Sequence, residues 1–202
     1  MKQHDSIYLG TSGLVLPYKN KLHYPPHLEG QSRLSVYSPL FNSIEINSIF
    51  YKLPRAATIG QWTESVGADF RFTFKLWKQI THCPSLDFEP ADVKKYFEVI
   101  APAITKAGCL LIQFPPSINK GYLKKVDKLL STIKEIDKNN WPVAVEFRST
   151  SWYNDSTYQL LNKYKAAFVY HDKKGSESPQ PDLDADIIYL RFHGPDGDYK
   201  GS

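Results

Sequence analysis

The chain has 202 residues, of which 42% are apolar and 23% charged, and its formal net charge is +4. These values are ordinary for a globular protein, and no apolar run approaches the ~20 residues that span a membrane, which excludes a membrane partner. The beginning of the chain lacks the charged and apolar regions of a signal peptide, and the two cysteines form no CxxC pattern. We therefore expect one cytoplasmic domain over residues 1–202.

Seven short segments rich in apolar and β-forming residues recur along the chain. They are residues 7–10, 43–47, 70–75, 109–114, 143–147, 167–170 and 187–191. Several are almost continuously apolar, as is typical of parallel strands that are covered on both faces. We interpret all seven as β-strands.

Segments with helical spacing of apolar residues lie between these strands. The strongest cover residues 92–107, 121–138 and 155–165, weaker ones cover 28–41 and 58–66, and Gly108 is placed to end the first. Alternation of strands and helices predicts β/α units with right-handed crossovers, which close toward a barrel. We therefore predict an α/β protein with a TIM-type parallel β/α barrel. A doubly wound sheet is the alternative, disfavoured because no GxGxxG or P-loop motif follows the first strand.

Two long irregular stretches, residues 12–28 and 173–185, follow the first and the sixth predicted strands. Loops of that length in a compact domain are usually functional or disordered. The second stretch is polar and rich in proline, so a mobile lid and plain disorder are both open interpretations.

Polar residues stand at the carboxyl ends of most predicted strands, where each apolar run stops. In chain order they are Thr11, Ser12, Glu45, Asn47, Lys75, Gln113, Glu146, Arg148, His171, Asp172, Arg191 and His193, and all but Thr11 and His171 are candidate catalytic or ligand-binding residues. In a parallel barrel these strand ends converge on the face that carries active sites. Because residues two apart share one face of a strand, we expect several of these side chains to crowd a single pocket.

These residue types favour an anionic ligand. The two arginines and Lys75 would bind a phosphate or a carboxylate, while Glu45, Glu146 and His193 are the candidate catalytic groups for proton transfer. The alternative is a set of structural ion pairs that closes the barrel mouth. The two carboxylates also fit a glycosidase, but the excess of cations disfavours that chemistry.

Three further residues complete the predicted ligand-binding set. Tyr51 and Trp152 are aromatic residues available for stacking if they are exposed, and His82 follows the third strand, where it either lines the mouth or belongs to a loop. A metal site formed by Glu45, Glu146, Asp172, His171 and His193 is a disfavoured alternative, because HxH and HExxH spacings are missing and neighbouring Lys and Arg would repel a divalent cation. The sequence indicates no particular cofactor.

The same segments carry a resemblance to a known family. The matching motifs are GTSG at 10–13, NSIEINSIFY at 42–51, FTFK at 72–75, ITH at 80–82, LIQFPP at 111–116, VEFR at 145–148, SW at 151–152, YLRFHG at 189–194 and YKG at 199–201. Their number and order make the chain similar to the domain-of-unknown-function 72 (DUF72, YecE-like) family from residue 7 to its last residue. The resemblance implies a β/α barrel and supplies no reaction.

The chain departs from the family pattern at two places. Leu14 stands where the family usually has a tryptophan, so a stacking contact is expected to be lost there. Relatives continue through an eighth strand and a closing helix, so we expect a barrel truncated before the eighth strand. An open barrel exposes a strand edge, which predicts a homodimer paired across that edge.

Three functions follow from these observations. The leading hypothesis is a protein that binds a small anionic ligand at the barrel mouth and acts on it as a hydrolase or isomerase. A nucleic-acid-binding or processing protein is the alternative, based on the mild basicity and on the analogy with endonuclease barrels. The second alternative is a non-catalytic, degenerate member of the family.

Overall fold

Six parallel strands form a curled half-barrel in the computed structural model, which describes residues 6–194. The strands are β1 (Ser43–Ile46), β2 (Arg71–Lys75), β3 (Ala107–Phe114), β4 (Val143–Phe147), β5 (Ala167–His171) and β6 (Tyr189–Arg191). Each strand pairs with its successor along the chain, so the spatial order repeats the sequence order. This arrangement confirms the prediction of a truncated, TIM-type β/α barrel.

Seven α-helices connect or flank the strands within the described part of the chain. They are α1 (Arg33–Tyr37), α2 (Ser48–Tyr51), α3 (Ala56–Glu64), α4 (Lys78–Thr81), α5 (Pro90–Ile100), α6 (Leu123–Ile136) and α7 (Asp155–Lys163). Short 3-10 helices cover Lys21–His23, Pro26–Leu28, Pro84–Leu86, Ala101–Lys106, Lys120–Tyr122 and Thr150–Trp152. No helix of residues 6–194 is long and apolar enough to span a membrane.

Two of the predicted helices are at least five residues shorter than expected, the segments 92–107 and 28–41. Helix α5 ends at Ile100 and continues only as a 3-10 helix, because Pro102 lacks the amide that would continue the α-helical pattern. Gly108 was wrongly predicted as a helix stop, since it lies in β3. Of the weak segment 28–41 only α1 is helical, and the hydroxyl of Ser32 caps its start by accepting from the backbone of the first turn.

The first predicted strand, residues 7–10, is not a strand in the structure. The segment nevertheless runs parallel to β1, since the amides of Ser43 and Glu45 donate to the carbonyls of Leu9 and Thr11 at 3.1 Å each. Only residue 12 forms a β-bridge, to Glu45. Within residues 6–194 the strand that pairs with this segment is β1. The run of hydrogen bonds between them is short, so the segment forms a single bridge and not a strand.

The two faces of the sheet bury different sets of side chains. Leu110, Ile112 and Phe114 of β3 belong to the large core together with Val126 and Leu129 of α6. The alternate residues of β3 belong to a separate small cluster, which contains Cys109, Leu111, Ala144, Ala167 and Val169. The small cluster lines the concave inner face, so every second residue of a strand points toward the barrel interior.

Strand β6 and the residues on either side of it carry exposed apolar side chains. Ile188, Leu190 and Phe192 are 77%, 54% and 76% exposed, while Arg191 between them is buried. The YKG motif at 199–201 lies outside the described residues. The predicted homodimer across the strand edge stays a prediction, and these apolar side chains are the surface that it would cover.

Candidate functional site

Most of the predicted site residues meet at the carboxyl end of the half-barrel. Glu45 of β1, Glu146 of β4 and Arg191 of β6 all lie on the inner face, and each is less than a tenth exposed. The alternation within each strand explains this placement, because all three share the inward parity of the small apolar cluster. The inner face is therefore apolar toward the amino ends of the strands and ionic toward their carboxyl ends.

Arg191 joins the two carboxylates at the centre of the site. Its Nε and Nη2 donate to the two carboxylate oxygens of Glu45 at 3.0 and 2.9 Å, so this pair is bidentate. Its Nη1 donates to Oε2 of Glu146. One guanidinium on the last strand of the half-barrel thus neutralises charges on β1 and β4, and charge-assisted bonds of this kind are the strong ones in proteins.

Polar neighbours fix the position of Glu45. Ser12 donates its hydroxyl to Oε1 at 2.7 Å, the amide of Asn47 donates to the same oxygen at 3.0 Å, and the phenol of Tyr189 donates to Oε2 at 3.0 Å. Burial raises the pKa of Glu45, but Arg191 and the hydrogen bonds from Ser12 and Asn47 outweigh burial and lower the pKa overall. Glu45 is therefore a carboxylate at neutral pH.

A second chain of contacts runs from Glu146 outward to Asp172. Arg148 pairs with Oε1 of Glu146, and its Nη2 lies 3.1 Å from Nε2 of His193. Oδ1 of Asp172 accepts from the backbone amide of His193 at 2.7 Å and lies 3.1 Å from its Nδ1. An arginine only donates and a carboxylate only accepts, so the neutral His193 tautomer with its proton on Nδ1 satisfies both contacts.

Electrostatics favour that neutral form of His193. Burial lowers its pKa, and the nearby Arg148 and Arg191 lower it further, while the hydrogen bond with Asp172 acts in the opposite direction. The net effect is a pKa below the ordinary value. At neutral pH, Nε2 therefore carries a lone pair that faces Arg148.

Lys75 and His82 form the opposite side of the site. Nζ of Lys75 donates to Oε1 of Gln113 at 2.7 Å and lies 4.3 Å from the centre of the Phe50 ring. The His82 ring lies 4.9 Å from the same Phe50 ring, edge to face. Burial and then Arg191 lower the pKa of Lys75, and burial and then Lys75 lower the pKa of His82.

Two predicted ligand residues are not brought into this site. Trp152 is completely buried, stacks on Phe147 at 4.4 Å, and donates its indole N–H to the carbonyl of Ile118 at 2.7 Å. Its assignment to the ligand-contacting set was wrong, because neither its face nor its N–H is accessible. Tyr51 is 67% exposed on α2, where its ring contacts Phe50 rather than the ionic groups.

Tyr189 and Phe50 belong to the site but were not predicted. Tyr189 lies two residues before Arg191 on β6, so both side chains point inward. This spacing could have identified Tyr189 as a site residue. Phe50 lies on α2, and only the tertiary structure places its ring between Lys75 and His82. His171, which the strand-end series did include, ends β5 and is buried here, with its ring 5.9 Å from that of His193.

The inner part of the site has more positive than negative groups, because Lys75, Arg148 and Arg191 stand against the two buried glutamates. Asp172 lies at the more exposed rim and brings the total to three charges of each sign. Within residues 6–194 the Nε and Nη1 atoms of Arg148 are buried and have no hydrogen-bond acceptor. No group of three or more His, Cys, Asp or Glu in the described residues is arranged to hold a metal ion. The arrangement can therefore accept an anion.

Comparisons with known proteins agree with the fold. The profile of the family described as a protein of unknown function, DUF72, matches residues 8–202. The UPF0759 protein YunF of Bacillus subtilis is 26% identical over 208 residues, which cover 93% of this chain and 70% of YunF. The UPF0759 protein YecE of Escherichia coli is 30% identical over 86 residues, which cover 43% of this chain and 32% of YecE.

Two solved structures are similar to the half-barrel. A DUF72 family protein from Thermotoga maritima superimposes with a TM-score of 0.74 at 29% identity, covering 93% of this chain and 74% of that one. A DUF72 family protein from Enterococcus faecalis has a TM-score of 0.75 at 22% identity, covering 98% of this chain and 74% of that one.

Proposed function

The chain belongs to the DUF72 family of proteins of unknown function, and from this premise we propose that it binds a small oxyanion, a phosphate or a carboxylate, between Arg148 and Lys75. The observation that carries the proposal is the buried guanidinium of Arg148, two of whose nitrogen atoms have no acceptor among residues 6–194. A buried donor without an acceptor costs about 1–3 kcal/mol, and more when it is charged. An oxyanion would supply the missing acceptors.

The charge balance of the site supports the same ligand. Arg191 pairs with Glu45 and Glu146, and Arg148 pairs with the other oxygen of Glu146, so Lys75, whose Nζ donates to Gln113, supplies the additional positive charge of the inner site. Lys75 has a lowered pKa, caused first by burial and then by Arg191. A bound anion would raise the pKa of Lys75 again. It would replace the hydration that burial removes, and its negative charge would oppose the positive charge of Arg191.

His193 is the predicted catalytic residue that best fits proton transfer on such a ligand. Glu45 and Glu146 are both tied to Arg191, and the lowered pKa of Glu45 makes it a weak base. Nε2 of the neutral His193 accepts from Nη2 of Arg148, and the proton transfer that we propose requires the bound anion to replace this hydrogen bond. We therefore assign the two glutamates to the scaffold of the site and His193 to the hydrolase or isomerase chemistry of the proposal.

Calorimetric titration with inorganic phosphate tests the binding. Arg148→Gln removes a charged donor, whose hydrogen bond is worth about 1.5–3 kcal/mol, so we expect the affinity to fall roughly 10- to 150-fold. Arg148→Lys keeps the charge and should lose less. The matched control is Arg55→Gln, which removes the same charge from an exposed residue at the start of α3. Equal affinities in Arg148→Gln and the control would refute the proposal.

The chemistry and the nucleic-acid alternative need separate measurements. Release of phosphate from a panel of phosphate monoesters should occur in the wild type and be lost in His193→Gln, with phosphate affinity retained. Absence of release from every ester in the wild type would reject the hydrolase and leave the binding intact. Tight binding of duplex DNA that weakens steeply with salt and does not depend on Arg148 would favour the nucleic-acid alternative.

A further inference from the structure

A cleft opens beside the anion site, on the carboxyl side of β2 and β3. It has a volume of about 320 Å³, and its lining includes His82, Cys83, Pro115, Ser117, Ile118 and Tyr122. We call it the His82 cleft. His82 follows β2, which ends at Lys75, and Pro115 follows β3, which carries Gln113. The lining of the cleft therefore comes from the loops that follow the strands of Lys75 and Gln113.

Phe50 connects the cleft to the anion site. Its ring centre lies 4.3 Å from Nζ of Lys75 and 4.9 Å from the ring of His82. The ammonium group and the imidazole therefore contact the same aromatic ring. The ligand that we consider would place its anionic group at Lys75 and its organic part at His82, next to the two groups that share this ring.

The walls of the cleft are fixed by the fold. The amide of Ile118 donates to the carbonyl of Pro115 at 3.0 Å, which closes a tight turn. The carbonyl of Ile118 accepts the indole N–H of Trp152 at 2.7 Å, so the buried tryptophan anchors this wall from behind. A wall that is ordered before the ligand arrives reduces the entropy lost on binding.

The opposite rim holds its backbone in an unfavourable conformation. Ser85 and Leu86 both have a backbone φ of 55°, in a region that residues other than glycine, Asn and Asp seldom occupy. Nζ of Lys125 holds the loop there by donating to the carbonyl of Ser85 at 2.8 Å and to Asp87 at 2.6 Å. Backbone strain of this kind is concentrated at ligand clamps and active sites.

We infer that the His82 cleft binds the organic part of the same ligand, and that this part is a single uncharged ring. The inference rests on the proposed oxyanion function. The cleft volume lies at the low end of the range for small-molecule sites, about 300–1,000 Å³, which suits one ring and not an extended chain. Pro115, Ile118 and Tyr122 offer apolar contact, while His82 and Ser117 can hydrogen-bond a ring substituent. The ligand class is thus a monocyclic phosphate ester or carboxylate.

Methyl phosphate and phenyl phosphate are the probes, because they differ only in the part that the cleft would hold. We expect phenyl phosphate to bind the wild type at least tenfold more tightly than methyl phosphate in calorimetric titration. Ser117→Trp should fill the cleft and abolish this difference without changing the affinity for methyl phosphate. Gln159→Trp, an equally large change at an exposed position of α7, should leave both affinities unchanged.

A second variant covers the case in which Ser117→Trp does not fold. Tyr122→Ala removes an apolar wall and should reduce the preference for phenyl phosphate several-fold. Equal affinities of the two probes for the wild type would overturn the inference while leaving the oxyanion site in place. A preference for phenyl phosphate that survives both Ser117→Trp and Tyr122→Ala would overturn it in the same way. Failure of methyl phosphate to bind in an Arg148-dependent way would instead remove the proposed function on which the inference rests.

Discussion

Replacement of Arg191 by methionine should be among the most damaging single substitutions in this protein. Arg191 is the shared partner of Glu45 and Glu146, which are 6% and 0% exposed. Removing one member of a buried ion pair costs about 3–5 kcal/mol, because the remaining charge is left without compensation. For a domain of this size about 2–4 °C of melting temperature is lost per kcal/mol, so we expect a decrease of roughly 6–20 °C.

The pH dependence of the same variant separates this explanation from a loss of packing. Without Arg191, burial is the main remaining influence on Glu45, and it raises the pKa. A folded-state pKa above the unfolded value means that stability is lost as the pH rises, so the deficit of Arg191→Met should be smaller at pH 5 than at pH 7.5.

Urea denaturation at the two pH values measures the deficit. Adding Glu45→Gln to Arg191→Met should restore part of the stability, since glutamine keeps the acceptor for Ser12 and carries no charge. Arg55→Met is the control for the loss of a positive charge from an exposed position. A deficit below about 1 kcal/mol at pH 7.5, or a double variant no more stable than Arg191→Met, would refute the reasoning.

Three other predictions concern the edges and the rim of the half-barrel. Gly10→Ala would place a Cβ 2.1 Å from a backbone oxygen of β1 and should cost about 1–3 kcal/mol in urea denaturation, whereas Gly67→Ala, with open space around it, should cost less than half of that. Burial and then Arg148 lower the pKa of His193, so the contribution of His193 to stability should be full above pH ~6.5 and fall as the pH decreases through that value. Thermal melts at pH 7.5 and 5.5 measure this loss of stability. His193→Gln should reduce the difference in melting temperature between the two pH values. Leu190→Ser with Phe192→Ser should weaken self-association in sedimentation, and a wild type that sediments as a monomer would reject the homodimer.

The sequence alone determined the architecture and the candidate site to a large extent. The order of strands and helices follows from short-range hydrophobic periods, which are set by the geometry of each element. The same period of two places Glu146, Arg148 and Arg191 on the inward face, so the residues that meet at the mouth could be named. Helix ends were less predictable, as α5 and Gly108 illustrate, because proline and packing between neighbouring strands decide them.

Only the tertiary structure decided which partners these residues choose. Arg191 is 146 positions from Glu45, and no local pattern indicates that one guanidinium serves both carboxylates. Trp152 follows a strand end as the predicted ligand residues do. Its side chain nevertheless packs in the large core, and its indole N–H donates to the carbonyl of Ile118. Strand periodicity fixes the side of the sheet on which a side chain lies. The curvature that brings β6 back toward β1 is a property of all the strands together, and it determines which charges meet.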